Sequence, residues 1–373
     1  MWRIGNIELK CPIIQGGMGV GVSLGRLAGA VAKQGGVGVI STVNAGYREP
    51  DFEKNAKEAN LRALENEIDY AIKEADGNGL VAINIMVAVN NYEETVATAI
   101  KSGVQAIISG AGVPMNLPEL VKDTDVLIAP IVSSRKSARV ILKSWDKKYG
   151  VVPDFIIIEG PKAGGHLGFR KEDLMSGNVQ AVDEILTDVL DELKEYEEKY
   201  DKTVPVFVAG GVYDGHDMAK MVNKGATGVQ IATRFIATRE CDAAEQYKEM
   251  MVNAREEDIL LVPSPVGLPG RALNTPLIQN VLNGGKFLAQ KCNLCLKACT
   301  HDASIPYCIS RALIEAVKGN IEDGLFFCGA NVHRIDKIMS VEELMSGIMK
   351  EFLEDVKNLN IEYPRIFKKV QLQ

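Results

Sequence analysis

Eight short, almost wholly apolar runs recur along the chain up to residue 231, each followed by glycine or polar residues and then by a helix-like stretch. They lie at 12–15, 37–41, 81–86, 106–109, 126–130, 155–159, 205–209 and 228–231. A run such as Phe155-Ile156-Ile157-Ile158 shows no polar/apolar alternation, so its strand has no face to offer to water. Parallel strands covered on both sides meet that demand, and eight of them close a barrel. The stretches 23–33, 92–102, 134–149, 180–200 and 215–224 carry helical spacing between the runs. Gly103 and Gly225 stand where a left-handed helix cap requires glycine. The expected fold is therefore α/β, a TIM (β/α)8 barrel.

Two stretches exceed a minimal barrel. Between the second and third runs, 51–76 carries Leu61, Leu64, Ile68 and Ile72 at helical spacing, so this longer connection is expected to be helical. After Arg239 the chain continues for about 130 residues with helical patterns and no clear strand repeat. The expected organisation is a barrel at 1–239 and a mostly helical C-terminal appendage at 240–373. The acidic run 191–201 is expected to be the solvated face of a helix, with Ile185, Val189, Leu193 and Tyr196 on its other side.

The charge balance is 42 basic against 49 acidic side chains, a net −7, without a long basic run to gather phosphates. No nucleic-acid partner is expected from that balance. No apolar stretch reaches the roughly 18 to 20 residues of a membrane span, and no secretory n-region or h-region is visible at the start. The expected location is cytoplasmic, with no membrane partner.

In such a barrel the chemistry sits where the strands end. The first run leads into Gln15-Gly16-Gly17-Met18-Gly19, where missing side chains let a flat ring approach the backbone. The third holds Asn84, an amide able to donate and accept at a heterocycle edge. The sixth leads into Glu159-Gly160-Pro161-Lys162-Ala163-Gly164-Gly165-His166-Leu167-Gly168. One of only four histidines therefore stands in a glycine-framed loop, expected to be mobile, where it can reach substrate protons. The seventh leads into Gly210-Gly211 and the eighth into Gln230-Ile231-Ala232-Thr233, positions at which this fold usually binds phosphate. Neither G-x-G-x-x-G after the first strand nor G-x-x-x-x-G-K-[ST] occurs, which disfavours a dinucleotide-binding sheet and a P-loop.

Outside the barrel, Cys292-x2-Cys295-x3-Cys299-x8-Cys308 gathers four of the seven cysteines. Four thiolates at such spacing suit one zinc ion or an iron–sulfur cluster, the alternative being four reduced thiols. His301 is a candidate replacement ligand, and Cys11 reads as a small core residue.

The motifs Gln15-Gly16-Gly17-Met18, Asn84-Ile85-Met86, Ala163-Gly164-Gly165-His166-Leu167-Gly168, Ala209-Gly210-Gly211-Val212 and Gly228-Val229-Gln230-Ile231-Ala232-Thr233-Arg234-Phe235 together resemble those of the nitronate monooxygenases, formerly called 2-nitropropane dioxygenases. The flavin-dependent enoyl-acyl carrier protein reductases look nearly the same at these motifs. The resemblance implies one FMN, with Gln15, Gly16, Gly17, Met18 and Asn84 near its ring system. It places Gly164, Gly165, Gly210, Gly211, Gln230 and Thr233 toward the ribityl chain and phosphate, and adds Glu159, Ala163 and Ala232 to the cofactor contacts. His166 matches the catalytic histidine. Ala232 stands where the family usually has glycine, and Lys162 where many of the reductases carry an acid. Ser264 to Arg271 resembles a loop after the barrel in both groups, with Arg271 holding substrate or anchoring the appendage. The implied activity is oxidation of alkyl nitronates with O2. The alternatives are NAD(P)H-dependent reduction of an enoyl thioester, NAD(P)H:quinone reduction, and a non-turnover flavin/metal redox sensor. The implied partners are a small-molecule substrate with O2 or NAD(P)H, and a homodimer stays open.

Overall fold

A computed structural model describes residues 2–289, 292–297, 299, 305–359 and 361. The chain opens on an antiparallel hairpin of β1 (Trp2–Ile4) and β2 (Ile7–Leu9). The barrel then begins with β3 (Ile13–Gln15), α1 (Gly25–Lys33), β4 (Val37–Ser41), α2 (Ala56–Ala75), β5 (Leu80–Met86), α3 (Tyr92–Lys101) and β6 (Ala106–Gly110). It continues through α4 (Leu117–Leu120), β7 (Leu127–Val132), α5 (Arg135–Tyr149) and β8 (Ile156–Glu159). After a two-residue strand, β9 (Gly165–His166), come α6 (Lys171–Ser176), α7 (Val182–Tyr200), β10 (Val206–Ala209), α8 (Gly215–Asn223), β11 (Gly228–Ile231) and the single turn α9 (Thr233–Ile236).

The eight strands β3, β4, β5, β6, β7, β8, β10 and β11 pair in parallel and close into a barrel, β11 returning to β3 with Gln230 opposite Ile14. This is the TIM barrel expected from the apolar runs. Burial on both faces explains the unbroken apolar composition: every residue of β4, β6 and β10 is buried. Two barrel helices, α5 and α8, start where a side chain satisfies a free amide. Ser134 accepts the Ser137 N–H ahead of α5, and the Asp214 carboxylate accepts the Asp217 N–H ahead of α8. On α7 the buried residues are Ile185, Leu186, Val189, Leu193 and Tyr196, so its acidic side faces solvent as read.

Beyond residue 239 the chain forms α10 (Glu245–Val252), β12 (Ile259–Val262), β13 (Gly270–Leu273), α11 (Pro276–Leu282), α12 (Ile309–Val317) and α13 (Val341–Leu359). Within this mostly helical part, β12 and β13 pair antiparallel, and β13 then pairs with β9 of the barrel loops. The helical remainder packs back on the barrel. α13 lies along α8, and Phe352 meets Trp2 with ring centroids 6.5 Å apart. Among the described residues no helix is long and apolar enough to cross a membrane.

Candidate active site

The carboxyl ends of the barrel strands open into a cavity of about 460 Å3, within the range of small-molecule sites. Gly16, Gly17 and Met18 enter it after β3, Asn84 from β5, Glu159 from β8, and Ala163 to His166 from the loop that follows. Gly210 and Gly211 line it after β10, and Gln230, Ala232 and Thr233 at β11 and beyond. Gln15 ends β3 just before Gly16 and Gly17, and its side chain turns into the strand layer instead of toward the cavity. Its amide is fully buried, donating to the carbonyls of Gly16 (2.6 Å) and Val39 (3.2 Å) and accepting the Val39 N–H at 3.0 Å. Both ends of the amide are spent on joining β3 to β4.

Absent side chains shape the floor of the cavity. A β-carbon on Gly17 would run into the side chain of Asn84, so glycine lets that amide stand at the wall. Opposite, Gly16 leaves room for the methyl of Ala232, which would come within 3.2 Å of an added β-carbon. The alanine that replaces the family's usual glycine is accommodated by the glycine facing it. Gly210 (φ +88°) and Gly211 (φ +101°) adopt left-handed backbone conformations. Among the described residues, the N–H groups of Gly210, Gly211 and Val212 meet no protein acceptor. Successive free amides of this kind form a concave donor set for an anion.

His166 is pinned rather than mobile, which corrects the expectation of a loose loop. It pairs with Gly270 of β13 while Gly165 pairs with Arg271, and the Leu167 N–H donates to the carbonyl of Pro269 at 2.9 Å. Its Nε2 lies 2.7 Å from the Ser264 hydroxyl, and its ring meets Phe327 edge-on at 5.1 Å. Burial among these groups pushes the imidazole down to about 4, so it is neutral across the physiological range. Arg271 donates to the carbonyls of Pro161, at 2.9 Å, and Ala163. Of the two roles read for it, anchoring is the one these bonds perform. Glu159 meets the opposite environment for its charge: burial pushes its carboxyl up to about 7.

One part of the wall escaped the sequence reading. Phe327, Cys328, Gly329, Ala330 and Asn331 line the cavity, almost one hundred residues past the last barrel strand. The Gly329 N–H donates to Thr233 Oγ1 (2.9 Å), the Ala330 N–H to the carbonyl of Lys162 (3.1 Å), and the Asn331 amide to the carbonyl of Gly211 (2.9 Å). The only signal was a strand-like Leu325-Phe326-Phe327 run ending in Cys328-Gly329.

The four clustered cysteines line a second cavity of about 600 Å3. Cys295, Cys299 and Cys308 are in no disulfide. Cys292, Cys295 and Cys299 lie outside helices, and Cys308 caps α12. Among the described residues no three Cys, His, Asp or Glu side chains stand at the spacing of a single metal ion. His301 lies outside the described residues. Cys11 is buried as expected, and His216, on the surface, finds an acid only through the fold, its Nδ1 lying 2.9 Å from Asp355 Oδ2 of α13.

The comparisons put the chain in an enzyme class, the flavin-dependent oxidoreductases. The chain belongs to the nitronate monooxygenase family, whose model matches residues 2–351. It is similar to a "Probable nitronate monooxygenase" of Staphylococcus aureus, 25% identical and covering 74% of this chain and 78% of that one. It is also similar to a 5-hydroxy-7a-methyl-1-oxo-octahydro-1H-indene-4-carboxyl-CoA dehydrogenase of Rhodococcus jostii, 24% identical over 95% of this chain and 96% of the other. Among solved structures, a point mutant of FabK from Thermotoga maritima superposes with a TM-score of 0.71 at 25% identity, covering 94% of this chain and 96% of that one. The nitroalkane oxidase of Streptomyces ansochromogenes shares the fold, with a TM-score of 0.71 at 20% identity, covering 94% and 98%.

Proposed function

We propose that this enzyme binds FMN in the first cavity and oxidises small alkyl nitronates with O2. The residues fit the cofactor: the floor of Gly16 and Gly17 suits a flat ring, and the free amides of Gly210, Gly211 and Val212 suit its phosphate. When bound, FMN supplies the redox step. The protein supplies orientation and electrostatics.

The observation that carries the reading is the fixed, neutral His166 at the cavity wall. In the tautomer with its proton on Nδ1, the neutral ring accepts the Ser264 hydroxyl at Nε2 and donates from Nδ1 to a nitronate oxygen. The Phe327 edge and the β13 pairing hold the ring in one orientation, so the donor is aimed before substrate arrives. The cationic side chains lining the cavity are Lys162 and Arg234, and Arg234 already stacks over Tyr213 and donates to its carbonyl. That leaves little positive charge for the phosphates of a large thioester carrier and favours a small anion.

A second reading, reduction of an enoyl thioester by NAD(P)H, is favoured by the near-complete coverage of the CoA dehydrogenase and of FabK, which extends through the C-terminal part of the chain. Anaerobic mixing separates the two. Loss of flavin absorbance on adding propionate 3-nitronate, with none on adding NADH or NADPH, is the expected result. Rapid bleaching by a nicotinamide and none by the nitronate sinks the oxygenase reading.

A further inference from the structure

We infer that Cys292, Cys295, Cys299 and Cys308 ligate an iron–sulfur cluster of the four-iron, four-sulfide type in the second cavity. The four come from separate positions of the chain and face one space of about 600 Å3. Cys295 lies within Coulomb range of the other three. A single zinc ion would draw four sulfurs to about 3.8 Å from one another, given zinc–sulfur bonds of about 2.3 Å. Among the described residues no three Cys, His, Asp or Glu side chains form a group that could hold one metal ion. A cube of iron and sulfide holds its cysteine sulfurs farther apart, at its corners, and occupies far more than the roughly 30 Å3 of one water.

The backbone around the thiols is arranged for sulfur ligands. Leu294 takes a left-handed conformation (φ +49°), which turns its N–H toward Cys292 Sγ at 3.3 Å. Cys308 stands at the N-terminal end of α12. Such N–H to sulfur bonds stabilise negative charge on thiolates and on a cluster they hold.

The segment is also tied to the rest of the molecule, which a ligand site requires. The Asn90 N–H donates to the Cys295 carbonyl at 3.3 Å, the Lys297 N–H to Ala88 at 2.9 Å, and the Cys308 N–H to Phe287 at 2.7 Å. Cys295 is thus registered on the loop after β5, and Cys308 stands at the start of α12.

The test uses full-length protein purified without oxygen, assayed for iron, acid-labile sulfide and zinc, with electron paramagnetic resonance after dithionite reduction. About four irons and four sulfides per chain, with a cluster signal distinct from a flavin radical, is the expected result. Cys308→Ser should then lower the iron content severalfold. A variant that fails to fold leaves the wild type to decide: its four thiols should resist alkylation until the iron is stripped by a chelator under oxidation, then all react. About one zinc per chain without sulfide overturns the inference, as do four freely alkylated thiols in metal-free protein.

Discussion

The two cavities are built on opposite plans. The first is shaped by what is missing: Gly16, Gly17, Gly210 and Gly211 contribute backbone and no side chain. The second is lined by four reactive side chains on irregular backbone. An organic cofactor presents its own polar edges and needs room and amides, whereas an inorganic cluster has none and must be held by ligands. A single helix serves both, since Leu313 of α12 lines the first cavity while Ser310 and Ile314 line the second.

If this division is right, the first cavity should be sensitive to added atoms and to very few deletions. The largest effect is expected at its one exception. His166→Ala should reduce nitronate turnover roughly 100- to 10,000-fold while flavin and iron contents stay at wild-type levels. Unchanged turnover in steady-state oxygen uptake removes the histidine from the mechanism. Next comes an added methyl: Gly17→Ala, meeting the Asn84 side chain, should weaken FMN binding by about tenfold, at a cost in the range of about 1–3 kcal/mol. Fluorescence titration of apoprotein reads this directly, and an unaltered Kd would show that the glycine floor is not required.

Arg271→Ala should destabilise the fold by about 1–3 kcal/mol, because the half-buried carbonyls of Pro161 and Ala163 lose their donor. Urea unfolding with an unchanged midpoint would contradict it.

The smallest effect concerns pH. His166, lowered from 6.5 to about 4, binds fewer protons folded than unfolded in that interval, so its contribution to stability is lost as pH falls through it. Glu159, raised from 4.5 to about 7, binds more protons folded, so its contribution is lost as pH rises through that interval. The two slopes oppose each other between about 4.5 and 6.5, and Asp242, raised from 3.8 to about 6 by burial, adds to that of Glu159. Glu159→Gln removes one of the two opposing carboxyls, so its melting temperature should fall more on acidification through this interval than that of the wild type. A variant with the wild-type pH profile would show that Glu159 does not titrate as described.

Much of the first cavity was legible in the sequence, because a strand buried on both faces must be apolar throughout and the residue ending it must face the cavity mouth. The runs at 37–41 and 228–231 coincide with β4 and β11, and Asn84, His166 and the paired glycines lie where the strand ends placed them. The direction of the Gln15 side chain was not legible, because position at a strand end does not say whether an amide turns outward or bridges two strands. The sheet of β9, β12 and β13 was hidden for another reason. β9 has two residues and no periodicity of its own, and exists only because β13 arrives beside it. The same holds for the wall at 327–331, whose place is fixed by bonds to Thr233, Lys162 and Gly211, not by local propensity.

The pairing of β9 with β13 also sets an order of events during synthesis. All eight barrel strands leave the ribosome before residues 264–271 do, since the last of them ends at Ile231. A nascent chain can therefore close its barrel while its histidine still lacks a serine partner and a neighbouring strand. The histidine is fixed only after the barrel strands are complete, by a stretch of polypeptide that adds no strand to the barrel.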